Sequence, residues 1–164
     1  MRVFLHINSV SFFPDTLYIV KVVTRLSRVG YDNTLGYLNG GIAEWTNAGK
    51  EVDTVESIPA SEMASRMKAG EIKVVDVRKE SEYSAEHIAD ALNLPLDYLN
   101  DTMDKLEQEE EYNIHCAGGY RSMIAASILK ARGYHKLVDI AGGFKAIAET
   151  DIPRTDYVCP TTAS

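Results

Sequence analysis

Residues 112–132 read YNIHCAGGYRSMIAASILKAR. Residues 112–115 form the kind of short run that makes a strand, and 116–121 are a glycine-containing turn. Residues 122–132 place Ile124, Ala125, Ile128 and Leu129 on the buried face of a helix. Strand, turn and helix in direct succession are the building block of a parallel α/β sheet. Downstream, Gly133 caps the helix, Leu137-Val138-Asp139-Ile140 reads as a strand, and Gly142-Gly143 opens a last helix. Upstream the alternation continues. A helix over about 60–69 carries Met63 and Met67 on one face, and residues 72–77 make a strand. A short helix follows near 81–86. Residues 91–95 read as an edge strand because of Pro95, and a helix lies around 97–107. The pattern predicts an α/β fold: a central, mainly parallel sheet of about five strands with helices on both faces.

Further upstream, residues 18–28 (YIVKVVTRLSR) set Ile19, Val22, Val23 and Leu26 at helical spacing, with Gly30 as the cap. Residues 35–38 read as a short strand. Gly40-Gly41 then turns the chain into a helix that carries Trp45 and closes at Gly49. Residues 26–45 align with 129–147 after one gap, since both read helix, Gly-Tyr, strand, Gly-Gly, helix. The chain therefore holds one complete unit and the closing part of another, without the latter's opening strands or a loop matching 116–121. The expected organisation is an irregular segment 1–17, a fragment 18–52, a linker 53–58, a complete domain 59–155 and a tail 156–164. The fragment has an apolar helix but no full sheet to cover. It is predicted to pack on the main domain or to pair with another chain as a homo-oligomer.

Composition sets the outer limits. The 164 residues include 24 acidic and 17 basic side chains, a formal net charge of −7, which argues against a nucleic-acid partner. No apolar run approaches the ~18 residues of a membrane helix. The 45% hydrophobic and 25% charged content is that of a globular protein. Two cysteines, Cys116 and Cys159, are too few for a disulfide scaffold and suit a reducing, cytoplasmic setting. At the N-terminus, His6, Asn8, Ser9 and Ser11 interrupt the only stretch resembling a secretory signal. The acidic run 107–111 reads as a solvated helix end.

Cys116 stands at the carboxyl end of a predicted strand, where open parallel sheets bind ligands. The helix that follows presents unpaired N–H groups and the positive end of its dipole. Gly118 and Gly119 let the backbone curl into an anion nest. A thiol in such a ring is favoured as the thiolate, its nucleophilic form. Arg121 adds a fixed positive charge or ties the loop to the scaffold.

Residues 116–122, CAGGYRS, resemble the active-site loop of rhodanese-like sulfurtransferases. Residues 74–95, VVDVRKESEYSAEHIADALNLP, resemble that family's first signature, and 133–144 its closing element. The resemblance covers about 57–155 and implies a rhodanese-like three-layer fold, preceded by a partial rhodanese-like repeat at 22–52. The arrangement is similar to the C-terminal part of proteins that join a metallo-β-lactamase-fold domain to two rhodanese domains. No histidine-rich metal motif occurs here, and no metal or organic cofactor is implied.

The resemblance implies that Cys116 takes sulfur from a donor as a persulfide and passes it to cyanide or a thiol. The anion loop would be Ala117, Gly118, Gly119, Tyr120, Arg121 and Ser122, with its amides steadying the negative sulfur. Four residues separate Cys116 from Arg121. Phosphatases of the same fold carry a loop one residue longer, so the spacing favours sulfur over a small phosphorylated substrate. Ala117 replaces a basic residue common in active members, which turns the expectation from thiosulfate toward a neutral or bulkier persulfide. Asp76 and Arg78 match the family's DxR pattern, as loop supports or as an ordinary salt bridge. Glu82 and His87 match the same signature, His87 as a packed histidine. His115 points away from the cysteine by strand alternation, and Cys159 is a candidate resolving thiol. The alternative to an enzyme is a non-enzymatic persulfide carrier or sensor serving a partner protein.

Overall fold

The computed structural model describes residues 2–4, 10–12, 20, 23–24, 36–70 and 72–159. Two compact units are present, residues 1–4 with 54–164, and residues 5–53. Strand β1 (Arg2–Phe4) belongs to the larger. In the smaller, β2 (Val10–Phe12) pairs in parallel with β3 (Gly36–Leu38), and α1 (Gly41–Asn47) follows. The larger unit continues with β4 (Asp53–Pro59), α2 (Ala60–Ala69), β5 (Lys73–Asp76), α3 (Glu80–Ala85) and β6 (Leu92–Asn93). Then come α4 (Leu99–Thr102), β7 (Tyr112–His115), α5 (Tyr120–Lys130), β8 (Leu137–Ala141) and α6 (Gly143–Ile147).

The sheet order is β1-β4-β8-β7-β5-β6, and β4, β8, β7, β5 and β6 run parallel. Period-two alternation divides the core between its faces. Val75 and Ile114 pack with Ala125, Ala126 and Leu129 of α5, whereas Val74 and Ile140 pack with Met63 of α2 and Ile147 of α6. Because β5, β7 and β8 are neighbours with one direction, their carboxyl ends bring Arg78, Cys116 and Gly142 to the same edge. Residues 154–158 lie along α3 and the turn after it: the Thr155 N–H donates to the His87 carbonyl at 2.9 Å and the Val158 N–H to that of Ala85 at 2.7 Å.

Several expectations are corrected. Residues 53–58 are not a linker but most of β4, where Val55 and Ile58 are buried and supply the apolar contacts that the polar residues between them conceal. Within 1–17, two short strands form. One of them, β2, gives β3 of the fragment a parallel partner. The helix expected at 97–107 is broken: 3₁₀ turns at Leu96–Tyr98 and Met103–Lys105 flank a four-residue α4. Asn100, Asp101, Thr102 and Asp104 are weak helix formers, and the Thr102 hydroxyl bonds the Tyr98 carbonyl at 2.9 Å. On α5 it is Ala126, not Ile124, that enters the core. The helix predicted over 18–28, with Gly30, lies outside the described residues apart from 20, 23 and 24.

Candidate active site

Cys116 leaves β7 directly into the turn that starts α5, and its side chain is buried within the core around that helix. Gly119 takes the position before the first turn of α5 with φ 96°, a conformation open to glycine at little cost. That geometry aims its N–H at the Cys116 sulfur, 3.1 Å away. The Ser122 hydroxyl oxygen lies 3.7 Å from the sulfur. Burial pushes the thiol up, but the backbone N–H groups of Ser122, Gly118 and Gly119 pull it below its ordinary value.

The floor of the loop is α6. Gly143 has φ 59°, and a Cβ there would stand 2.3 Å from the Cys116 carbonyl oxygen. This close approach lets the Phe144 N–H donate to the Cys116 carbonyl at 2.7 Å and the Lys145 N–H to the Ala117 carbonyl at 3.2 Å. With these carbonyls held from below, the loop N–H groups are left for the sulfur side.

Arg121 is tied to the scaffold in this structure. Its guanidinium makes a two-pronged pair with Glu82 on α3, at 2.6 and 2.9 Å. The Arg121 hydrogen bond, opposed by partial burial, holds the Glu82 carboxyl below the usual range. Tyr120 is 79% exposed, at the rim. Ala117 is half-buried beside the sulfur and brings no charge.

Asp76 and Arg78 form a buried ion pair, closest at 2.6 Å, and Arg78 also donates to the Glu86 carbonyl at 2.7 Å. Among the described contacts neither bonds the loop directly. Arg78 instead lies 3.9 Å from the centre of the Phe144 ring, and Phe144 holds the Cys116 carbonyl. Phe144 thus touches both, with its ring on Arg78 and its backbone N–H on the Cys116 carbonyl. His115 is wholly buried, desolvation is the main cause that lowers its pKa, and it lies 3.7 Å from Asp76. His87 is packed as expected, stacked on Tyr83 and bonded to its carbonyl at 2.7 Å. Cys159 is exposed, and both cysteines are thiols. No group of three His, Cys, Asp or Glu arranged for a metal occurs among the described residues, nor a helix long and apolar enough to cross a membrane.

Sequence reasoning missed Gly143 and Phe144 as loop supports, along with Asp139, which accepts bonds from Ser122 and Ser57. The Gly-Gly pair was a signal for the first. For Phe144 and Asp139 the sequence carries none, because their roles exist only once β8 and α6 stand beside the loop.

The family model of the rhodanese-like domain matches residues 59–150. The thiosulfate sulfurtransferase GlpE of Coxiella burnetii is 32% identical over 79 residues, 48% of this chain and 74% of that protein. An HTH-type transcriptional regulator of Mycobacterium tuberculosis is 35% identical over 77 residues, 47% of this chain and 34% of the regulator, so the chain spans about a third of that relative. Among solved structures, a rhodanese-related protein from Thermoplasma volcanium superposes with a TM-score of 0.55 at 32% identity, over 61% of this chain and 97% of that one. Loop, fold and relatives agree, and the chain belongs to the rhodanese-like domain family.

Proposed function

We propose that the protein is a sulfurtransferase in which Cys116 carries sulfane sulfur from a donor to a thiol or cyanide. The observation that carries this reading is the sulfur's place at the start of α5, with the Gly119 N–H on it at 3.1 Å. The Cys116 thiolate attacks the outer sulfur of thiosulfate or of a low-molecular-weight persulfide. A new S–S bond forms while the donor's S–S bond breaks, and sulfite or a thiolate leaves with the bonding pair. The acceptor then attacks the outer sulfur and regenerates the thiolate. Loop amides steady the negative sulfur in both steps without rearranging. The charge of Arg121 is engaged by Glu82 and position 117 is alanine, which favours an organic persulfide over the thiosulfate dianion as donor. A reducing compartment suits a thiol that has to return to its free form.

Ala117 also favours one second reading, a persulfide carrier that loads sulfur but hands it only to a dedicated protein. Intact mass after incubation with thiosulfate or glutathione persulfide tests both. A gain of one sulfur in the wild type, absent in Cys116→Ser and reversed by cyanide over many turnovers, supports the enzyme. Loading without turnover to cyanide or small thiols supports the carrier. No gain from either donor overturns both.

A further inference from the structure

Asp139 is a fully buried carboxylate with no part in the sulfur-transfer steps above. Ser122 donates to its Oδ1 at 2.7 Å, and Ser57, its register partner on β4, donates to its Oδ2 at 2.9 Å. Ser122 is itself fully buried, with its oxygen 3.7 Å from the Cys116 sulfur. A hydroxyl has one proton to donate. With that proton on Asp139, Ser122 turns a lone pair to the sulfur and can only accept a bond from S–H. To steady a thiolate, it has to swing the proton from Asp139 to the sulfur. The carboxylate and the sulfur therefore compete for one proton, and both are strong acceptors in a buried setting.

We propose that Asp139 is a positioning residue: by holding the Ser122 proton it keeps the Cys116 sulfur from ionising as readily as the amide ring alone would allow, and so sets the pH at which that sulfur becomes a nucleophile. The inference rests on the reading of Cys116 as the nucleophile. On ionisation the S–H proton leaves to water, the Ser122 O–H rotates to donate to the sulfur, and Asp139 keeps the bond from Ser57. No bond between heavy atoms changes, and no electrons are transferred. Among the described residues, the charged or titratable groups on the elements around the loop include Arg121 with Glu82, Arg78 with Asp76, the buried His115, and Lys145 on α6. None of them is altered by the substitutions below.

The test is the pH dependence of Cys116 alkylation by iodoacetamide, read by intact mass in a Cys159→Ser background. Asp139→Asn lowers the midpoint by about one pH unit, so that alkylation below both midpoints runs about tenfold faster. Ser57→Ala moves it the other way, by roughly a few tenths of a unit, because a carboxylate with one fewer donor holds Ser122 harder. In a Ser122→Ala background the Asp139→Asn shift shrinks to about a few tenths. An unchanged or raised midpoint in Asp139→Asn overturns the proposal. So does a full shift in the Ser122→Ala background, which would mark a direct charge effect. Should Asp139→Asn not fold, Ser57→Ala decides, and an unmoved or lowered midpoint overturns it. Alkylation uses no sulfur donor, so a protein that never loads sulfur fails the previous test without touching this one.

Discussion

Gly40-Gly41 and Gly142-Gly143 turn the chain into a helix in nearly the same way, with φ of 80° and 64° in the first pair and 79° and 59° in the second. What rests on them differs. A Cβ on Gly143 would run into the Cys116 carbonyl and the backbone of Ala117 and Gly118, whereas one on Gly41 meets nothing within 4 Å among the described residues. In the larger unit the turn is a floor under the Cys116 loop, bonded to it through Phe144 and Lys145. In the smaller unit the same backbone serves helix entry. A repeat can thus keep its local geometry because the chain needs it to change direction, while the demand for a bare backbone surface comes only from a packed neighbour.

The largest expected effect lies at the buried pair behind the loop. Asp76→Ala leaves Arg78 buried without its carboxylate and costs about 3–5 kcal/mol of stability in denaturant titration. The buried charged side chains among the described residues all lie in the larger unit, so a loss below about 1 kcal/mol, the range of surface pairs, would erase that contrast. Next come the glycines. Gly41→Ala and Gly143→Ala each meet the left-handed backbone cost of about 1–2 kcal/mol. Only Gly143→Ala also displaces the loop, and sulfur loading of Cys116 is expected to fall at least tenfold, about 1.4 kcal/mol or more in barrier terms. Equal loading by the two variants would break the comparison.

Phe144→Leu keeps an apolar side chain but removes the ring from Arg78, a contact of about 0.5–2 kcal/mol. A fall in loading with a smaller fall in stability would sharpen the view that support reaches the loop through this ring. The smallest effect belongs to Glu82→Gln. The Arg121 pair is about one-third exposed, so its loss costs under about 1 kcal/mol near neutral pH. Because the folded state holds Glu82 below its ordinary value, the pair's contribution is present above the ordinary carboxylate range. It is lost as pH falls through the folded value. The difference between wild type and variant in denaturant midpoint should close in acid, and a gap that persists there would count against the pair as its source.

The Cys116 loop was legible because strand, glycine turn and helix follow one another without interruption, and local rules suffice there. Strand β4 was not. Asp53, Thr54, Glu56 and Ser57 read as solvated, and only pairing with β8 makes Val55 and Ile58 core residues. The same distance hid Asp139, which looked like one polar residue in an apolar strand until Ser57 and Ser122 closed on it. Residues 97–107 misled in the other direction, since one helix was expected where weak helix formers break the segment into three turns.

The bond between Ser57 and Asp139 spans 82 positions of the chain. The two strands lie side by side in the sheet, so the edge of β4 that receives β8 stays open until the last strand of the sheet is available. Closing so long a loop costs conformational entropy before any pairing offsets it, and such topologies fold slowly. Completion of the site is therefore expected late in folding. Until then a thiol that the finished protein buries would be open to water and to oxidants, and the redox state met by the young chain would decide how much of it arrives reduced.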